Sequence, residues 1–159
     1  MNGEKAMGDS KGLEGLIVWR KSMDFAKRVY KEALPLLPDE EKWAMGSQLR
    51  RSAASIPANI AEGYGRHYYQ EGVRYCYIAR GSLEETRTFL TLSAELGYLP
   101  QDLHSALTND LLELRRLISG YIAYLKKNKR GENEPGANSR LREIPTEYLT
   151  DLELEEPDY

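Results

Sequence analysis

Gln48 to Arg66 reads QLRRSAASIPANIAEGYGR. Within it Leu49, Ala53, Ile56 and Ile60 recur at spacings of 4, 3 and 4, the period of one buried helical stripe. Pro57 stands inside that period. It has no N–H for the Ala53 carbonyl and its ring crowds that carbonyl, which predicts a kink or a restart of the helix. Asn59 and Glu62 follow close to the stripe. Partial burial there demands partners, because an unpaired buried carboxylate is strongly destabilising. The stretch specifies packing before it specifies chemistry.

Working outward, a first helix is expected over 16–37, where Trp19, Met23, Ala26, Tyr30, Ala33 and Leu37 repeat at helical spacing. Pro38 limits it, and Asp39, Glu40 and Glu41 suit the positive end of a second helix over about 40–64, ended by Gly63 and Gly65. A third helix, 68–96, carries a line of Tyr75, Ala79, Ser82, Thr86, Phe89, Ser93 and Leu96, widened by Cys76, Leu83 and Leu90. Gly81 in its middle costs about 1 kcal/mol against alanine, which predicts a packing reason. The fourth, 101–127, is the most regular: Leu103, Leu107, Leu111, Leu114, Ile118, Tyr121 and Leu125. Leu112, Leu117 and Ile122 add a second edge, more apolar surface than a monomer's stripe needs. No strand-like run competes. The expected fold is all-α, an antiparallel up-down-up-down four-helix bundle with a kinked second helix. Residues 1–15 read as a disordered lead, 16–128 as the bundle, and 129–159 as a linker and acidic tail.

Composition narrows the function classes. A chain of 159 residues supports one core without disulfide or metal staples. Its single cysteine, Cys76, excludes an internal disulfide framework. Without a signal-like segment or an apolar run of about 18–20 residues, a soluble cytoplasmic protein with no membrane association is expected. The formal net charge of −3 conceals an asymmetry. Residues 1–130 hold 20 basic and 16 acidic side chains, whereas 131–159 hold 2 and 9. A mildly basic body thus precedes a strongly acidic tail. Eleven tyrosines against two phenylalanines favour half-buried sites and contacts between subunits.

Enzyme chemistry finds little footing. Glu62 with Glu85, or Glu84 with Glu85, lacks the Glu-x-x-His pairs of a di-iron bundle, so salt bridging or capping is the expected role. Cys76 has no histidine beside it and reads as a core or interface residue. His67 and His104 stand alone, and no metal or cofactor is expected. Gly63-x-Gly65-Arg66 follows a helix rather than a strand, so a helix terminator outweighs a phosphate loop. Tyr64, Tyr68 and Tyr69 beside Arg66 and His67 suit stacking on unpaired bases, though a tyrosine-rich bundle end or subunit contact outweighs that reading. Arg50 or Arg51 is placed to reach a carboxylate on an adjacent helix, and Arg80 offers an i,i+4 pair with Glu84. Lys126, Lys127, Lys129 and Arg130 form the densest basic cluster, at a helix C-terminus where cations are favoured in any case.

The run Leu49-Arg50-Arg51-Ser52-Ala53-Ala54-Ser55-Ile56-Pro57-Ala58-Asn59-Ile60-Ala61-Glu62-Gly63, with Arg66, resembles the four-helix-bundle proteins encoded by intervening sequences inside bacterial 23S rRNA genes. Arg80-Gly81-Ser82-Leu83-Glu84-Glu85, Leu96-Gly97-Tyr98-Leu99 and Trp19 extend the likeness over about residues 16–127. The resemblance implies a non-enzymatic bundle that assembles as a homopentamer. It also implies kinship with the accessory variability determinant of diversity-generating retroelements, a basic pentamer that partners reverse transcriptase and nucleic acid. It marks Arg50, Arg51, Asn59, Glu62, Arg80, Ser82 and Glu85 as family positions. The expected nucleic-acid contacts, to RNA or DNA, are Arg50, Arg51, Arg66, Lys126, Lys127, Lys129 and Arg130. The expected structural polar core is Asn59, Glu62, Arg80, Ser82 and Glu85. The competing class is a protein-interaction or scaffold module that binds no nucleic acid.

Overall fold

The computed structural model describes residues 12–133. Four long helices form the body: α1 (Ile17–Arg28), α2 (Met45–Gly65), α3 (Tyr69–Glu95) and α4 (Gln101–Asn128). α1 packs on α2 and α4, and α3 packs on the same two, which closes a four-helix bundle. Of the lead expected over 1–15, Leu13–Gly15 form a single tight turn. Residues 1–11 and 134–159 lie outside the described residues.

The stripe read from α2 is its buried face. Leu49, Ala53, Ile56 and Ile60 are fully enclosed. Pro57 is buried inside a helix that continues unbroken to Gly65, so the bent helix of the bundle bends without a restart. α2 begins later than expected, at Met45, whose N–H donates to the Glu41 carboxylate at 3.3 Å. One of the expected acidic residues thus serves the positive end of the helix. On α4, Leu107, Leu111, Leu114 and Ile118 are buried. Ile122 is buried too and Leu117 packs on the core, so much of the second edge of α4 is used within the bundle.

α1 departs from its expected line. Of the expected line Ala26, Ala33 and Leu37 are enclosed, together with Val18, Ser22, Phe25 and Val29, whereas Met23 and Tyr30 face outward and Trp19 is only half-buried. The cause is local. Pro35 cannot donate, and α1 relaxes into a wide π turn at Val29–Ala33 and then a 3-10 turn at Leu34–Leu36. The added residue stretches the period and shifts the buried row by one position. α3 is likewise re-centred, on Cys76, Ala79, Leu83, Thr86, Leu90 and Ser93, with Leu96 half-exposed. It ends in a Schellman turn: the Tyr98 N–H reaches the Ser93 carbonyl at 2.9 Å, and Gly97 has φ of +80°.

The α2–α3 contact is tight and partly polar. Thr86 Oγ1 lies 2.9 Å from Ser52 Oγ and donates to the Ser82 carbonyl at 2.8 Å. Ser55 and Ser82 hydroxyls meet at 2.9 Å, and Asn59 Nδ2 donates to Ser55 Oγ at 2.9 Å. These small side chains satisfy one another and let the backbones approach. At Gly63 the approach is closest. A Cβ there would stand 2.8 Å from the Tyr75 Cβ and 3.1 Å from the Gly72 carbonyl oxygen. Gly63 is therefore a packing residue inside the helix rather than its terminator. Gly81 is the reverse: among the described residues nothing lies within 4 Å of an added Cβ, and they supply no packing reason for it.

Two substitutions separate these roles. Gly63→Ala is expected to lower stability by about 1–3 kcal/mol through overpacking. Gly81→Ala is expected to raise it by about 0.5–1 kcal/mol through helix propensity alone. Urea midpoints of the two variants, compared with the parent, test both signs.

Candidate nucleic-acid interface

The C-terminal ends of α2 and α4 and the start of α3 meet at one end of the bundle. α2 stops at Gly65, Arg66 is extended, and α3 starts at Tyr69. Lys129 takes a left-handed conformation (φ 46°) and its N–H returns to the Leu125 carbonyl, closing α4. The Tyr69 N–H then donates to the Arg130 carbonyl at 3.0 Å. This last bond stitches the basic segment after α4 to the α2–α3 junction. Arg66, Lys126, Lys127, Lys129 and Arg130, far apart in sequence, become neighbours of one surface.

Tyrosines hold several of these cations. Arg80 lies over the Tyr77 ring at 5.9 Å and Lys126 Nζ at 5.8 Å. Lys126 also donates to the Tyr77 hydroxyl at 3.4 Å. Arg66 sits over Tyr75 at 5.4 Å and donates to its hydroxyl at 3.2 Å. A cation over an aromatic face keeps its full charge, so such contacts position without neutralising. Carboxylates do neutralise. Glu62 pairs with Arg66, Glu71 approaches Arg74, and Glu132 pairs with Lys129. Arg80, Lys126, Lys127 and Arg130 have no ion pair among the described residues. Beside them Tyr121 and Tyr124 are stacked, 6.1 Å apart and 15° from parallel, with Tyr124 60% exposed.

The other expected residues are distributed differently. Arg50 and Arg51 lie about 24 Å up α2 from Arg66, at 1.5 Å per residue, and do not join the cluster. Arg51 bridges to Glu85 on α3 at 2.6 Å, the cross-helix pair expected for one of the two, and also binds Gln48. Arg50 reaches only the Lys42 carbonyl at 3.5 Å. Ser82 is buried and Asn59 half-buried in the hydroxyl network. Glu62 is a correction: it is exposed, because the i,i+4 bridge to Arg66 keeps its carboxylate in water. Arg80 is another. It lies on Tyr77 instead of pairing with Glu84, which is engaged by Arg87 and Arg115. Glu85 sits half-exposed at the rim and outside the core.

Tyr69 is buried and unable to stack on a base, leaving Tyr64 and Tyr68 of the expected trio at least partly accessible. Tyr77 and Tyr124 escaped the reading of the sequence. The available signal was Tyr124, Lys127 and Asn128 on one edge of α4, at i, i+3 and i+4. His104 contacts Thr91 at 3.2 Å, and His67 meets the Tyr68 ring edge-on. Among the described residues no three His, Cys, Asp or Glu side chains gather as a metal site. No helix described is long and apolar enough to cross a membrane.

Burial pushes the Cys76 thiol up to about 12, which makes it a poor nucleophile. Burial also raises Tyr121 to about 12, helped by Cys76, Tyr64 and Tyr124 nearby and opposed by Arg130. Both groups are more acidic once exposed by unfolding, at 9.0 and 10.0. Above pH 9 the unfolded chain therefore sheds protons that the folded chain retains. Stability is expected to be full below that pH and to fall as pH climbs toward 12. Urea titrations across this range check the slope, which Cys76→Ala with Tyr121→Phe should flatten.

Comparison with known proteins places the chain. The description "23S rRNA-intervening sequence protein" matches residues 14–120. A crystal structure of a protein of unknown function from the S23 ribosomal protein family of Bacteroides thetaiotaomicron VPI-5482 is similar at a TM-score of 0.62 and 27% identity. The match covers 67% of this chain and 98% of that one. No curated protein matches the chain.

Proposed function

As this chain belongs to the 23S rRNA-intervening sequence protein family, we propose that it is a non-enzymatic, RNA-associated cytoplasmic protein that works as a homo-oligomer, with the pentamer as the expected ring. The observation that carries the reading is the bundle end where Arg80, Lys126, Lys127 and Arg130 lack carboxylate partners among the described residues and surround exposed aromatic surface. Unpaired cations release the counterions of a phosphate backbone, which supplies sequence-independent affinity. Tyr124, stacked on Tyr121 with its outer face exposed, offers a platform for an unpaired base. One such end is a modest site. Repeated around a ring, several ends act on one strand, and tethering multiplies weak contacts into useful avidity.

Arg66 is a secondary contributor, since Glu62 already engages it. Arg51 ties α2 to α3 through Glu85 instead, and Arg50 stands apart from the cluster. A second reading, a scaffold that binds protein and no nucleic acid, would require the apolar groove between α1 and α2 to stand open to a partner.

Binding of single-stranded RNA is expected to weaken steeply between about 50 and 200 mM salt. Replacing Lys126, Lys127, Lys129 and Arg130 together by glutamine should lower the salt slope by roughly 0.7 for each phosphate that is no longer neutralised. Arg50→Gln should leave it unchanged. Tyr124→Ala should cost about 1–3 kcal/mol on single strands and little on duplex. Fluorescence anisotropy with both RNAs reads these outcomes, and light scattering gives the assembly mass. Salt-independent affinity would exclude the nucleic-acid reading, and a monomeric mass would exclude the ring.

A further inference from the structure

Between α1 and α2 runs an open groove of about 560 Å³. Trp19, Met23 and Tyr30 line it from α1, and Pro57, Ala58 and Ala61 line it from α2. Its walls are almost wholly apolar. Two lysines, Lys27 and Lys31, stand along the α1 side. Lys27 is shared with Asp24 at 2.8 Å, and Lys31 has no ion pair among the described residues. Toward the basic end, Ala58 and Ala61 also belong to a second open depression of about 510 Å³ that reaches Glu62, Gly65 and Arg66. The two form one continuous track from the α2–α3 junction up to Tyr30.

The chain itself arrives at the foot of this track. Arg130 is bonded to Tyr69, and Gly131 lies against His67 and Tyr68, one residue beyond Arg66. After Asn133 come 26 more residues, with 8 acidic and 2 basic side chains. Among them Ile144, Tyr148 and Leu152 recur every 4 residues, and Pro145 suits the first turn of a helix that would carry Tyr148 and Leu152. Glu143, Glu147 and Asp151 recur every 4 residues, each one place before a member of the apolar row. In a helix that offset is about 100°, so one edge of the apolar face would be lined by carboxylates. Reach is ample. From Arg66 up to Pro57 is about 14 Å of helix, while residues 134–143 can span about 33 Å.

We propose that residues 144–152 occupy the α1–α2 groove of their own chain. Ile144, Tyr148 and Leu152 lie on the Trp19, Met23 and Pro57 surface, and Glu147 and Asp151 face Lys27 and Lys31. Charge favours the tail over a two-fold pairing of grooves, which would set Lys31 of each copy against the other. The tail brings the opposite sign and is already tethered, so its effective concentration is high.

Trp19 is the reporter. In the full-length chain, Trp43→Phe removes the other tryptophan, which is 87% exposed and outside the groove. Adding Tyr148→Ser with Leu152→Ser alters no described residue, and circular dichroism verifies that the bundle is intact. The expected result is a red shift of Trp19 emission and faster acrylamide quenching, independent of protein concentration. Lys27→Glu with Lys31→Glu should move both readouts the same way. Unchanged emission in the tail variant would overturn the proposal. So would recovery of Trp19 protection when the tail variant is co-assembled with an excess of intact-tailed chains carrying Trp19→Phe and Trp43→Phe, the mark of a neighbour's tail. A shift seen only on removing residues 1–11 would assign the groove to the N-terminal segment instead.

Discussion

The close crossing of α2 and α3 governs the rest of the molecule. Gly63 leaves no room for a side chain above Gly72 and Tyr75, and Gly72 in turn leaves room only for Leu125 of α4, which a Cβ there would meet at 3.2 Å. Three helices are therefore registered at one point by the absence of side-chain atoms. Farther along the same contact, Ser52, Ser55, Ser82 and Thr86 bond to one another in place of apolar interdigitation. Such a seam tolerates few alternatives, because each hydroxyl needs its partner at one distance and one rotation.

That registration is also what gathers the charged surface. With α4 held against Gly72, its last turn falls beside the start of α3, and the Arg130 carbonyl finds the Tyr69 N–H. The basic side chains then meet tyrosines rather than acids. Aromatic faces orient a cation through the ring quadrupole while leaving it available to an incoming anion. Ion pairing would have spent that availability on contacts between exposed groups, worth at most about 1 kcal/mol each. The basic end is thus a product of core packing as much as of surface composition.

How much was legible depended on whether periodicity stayed ideal. α2 and α4 keep a regular helix, and Leu49, Ile56, Ile60, Leu107, Leu111 and Ile118 could be read directly as core. α1 could not. Both Val18/Phe25/Val29 and Trp19/Met23/Tyr30 are plausible apolar rows, and only the wide turn before Pro35 decides between them. The two glycines illustrate a different limit. Gly63 and Gly81 look alike in sequence, yet one is packed and the other open, a distinction made by neighbours far along the chain. For the site, Lys126 through Arg130 stood out as a run. Tyr77 and Tyr124 did not, since their value comes from side chains on other helices or other turns. Glu62 lies outside the core and Arg51 away from the basic end, with local bridges to Arg66 and Glu85 holding these exposed charges.

The π turn in α1 has a consequence for how this architecture varies. By taking up one residue it works as a phase shifter between two halves of a single rod. The half after it is locked to the interior through Ala33 and Leu37, while the half before it can present a large outward aromatic such as Trp19 without disturbing that lock. Outer relief and inner packing are thereby decoupled, so selection can remodel the wall between α1 and α2 while the bundle beneath it stays as it is.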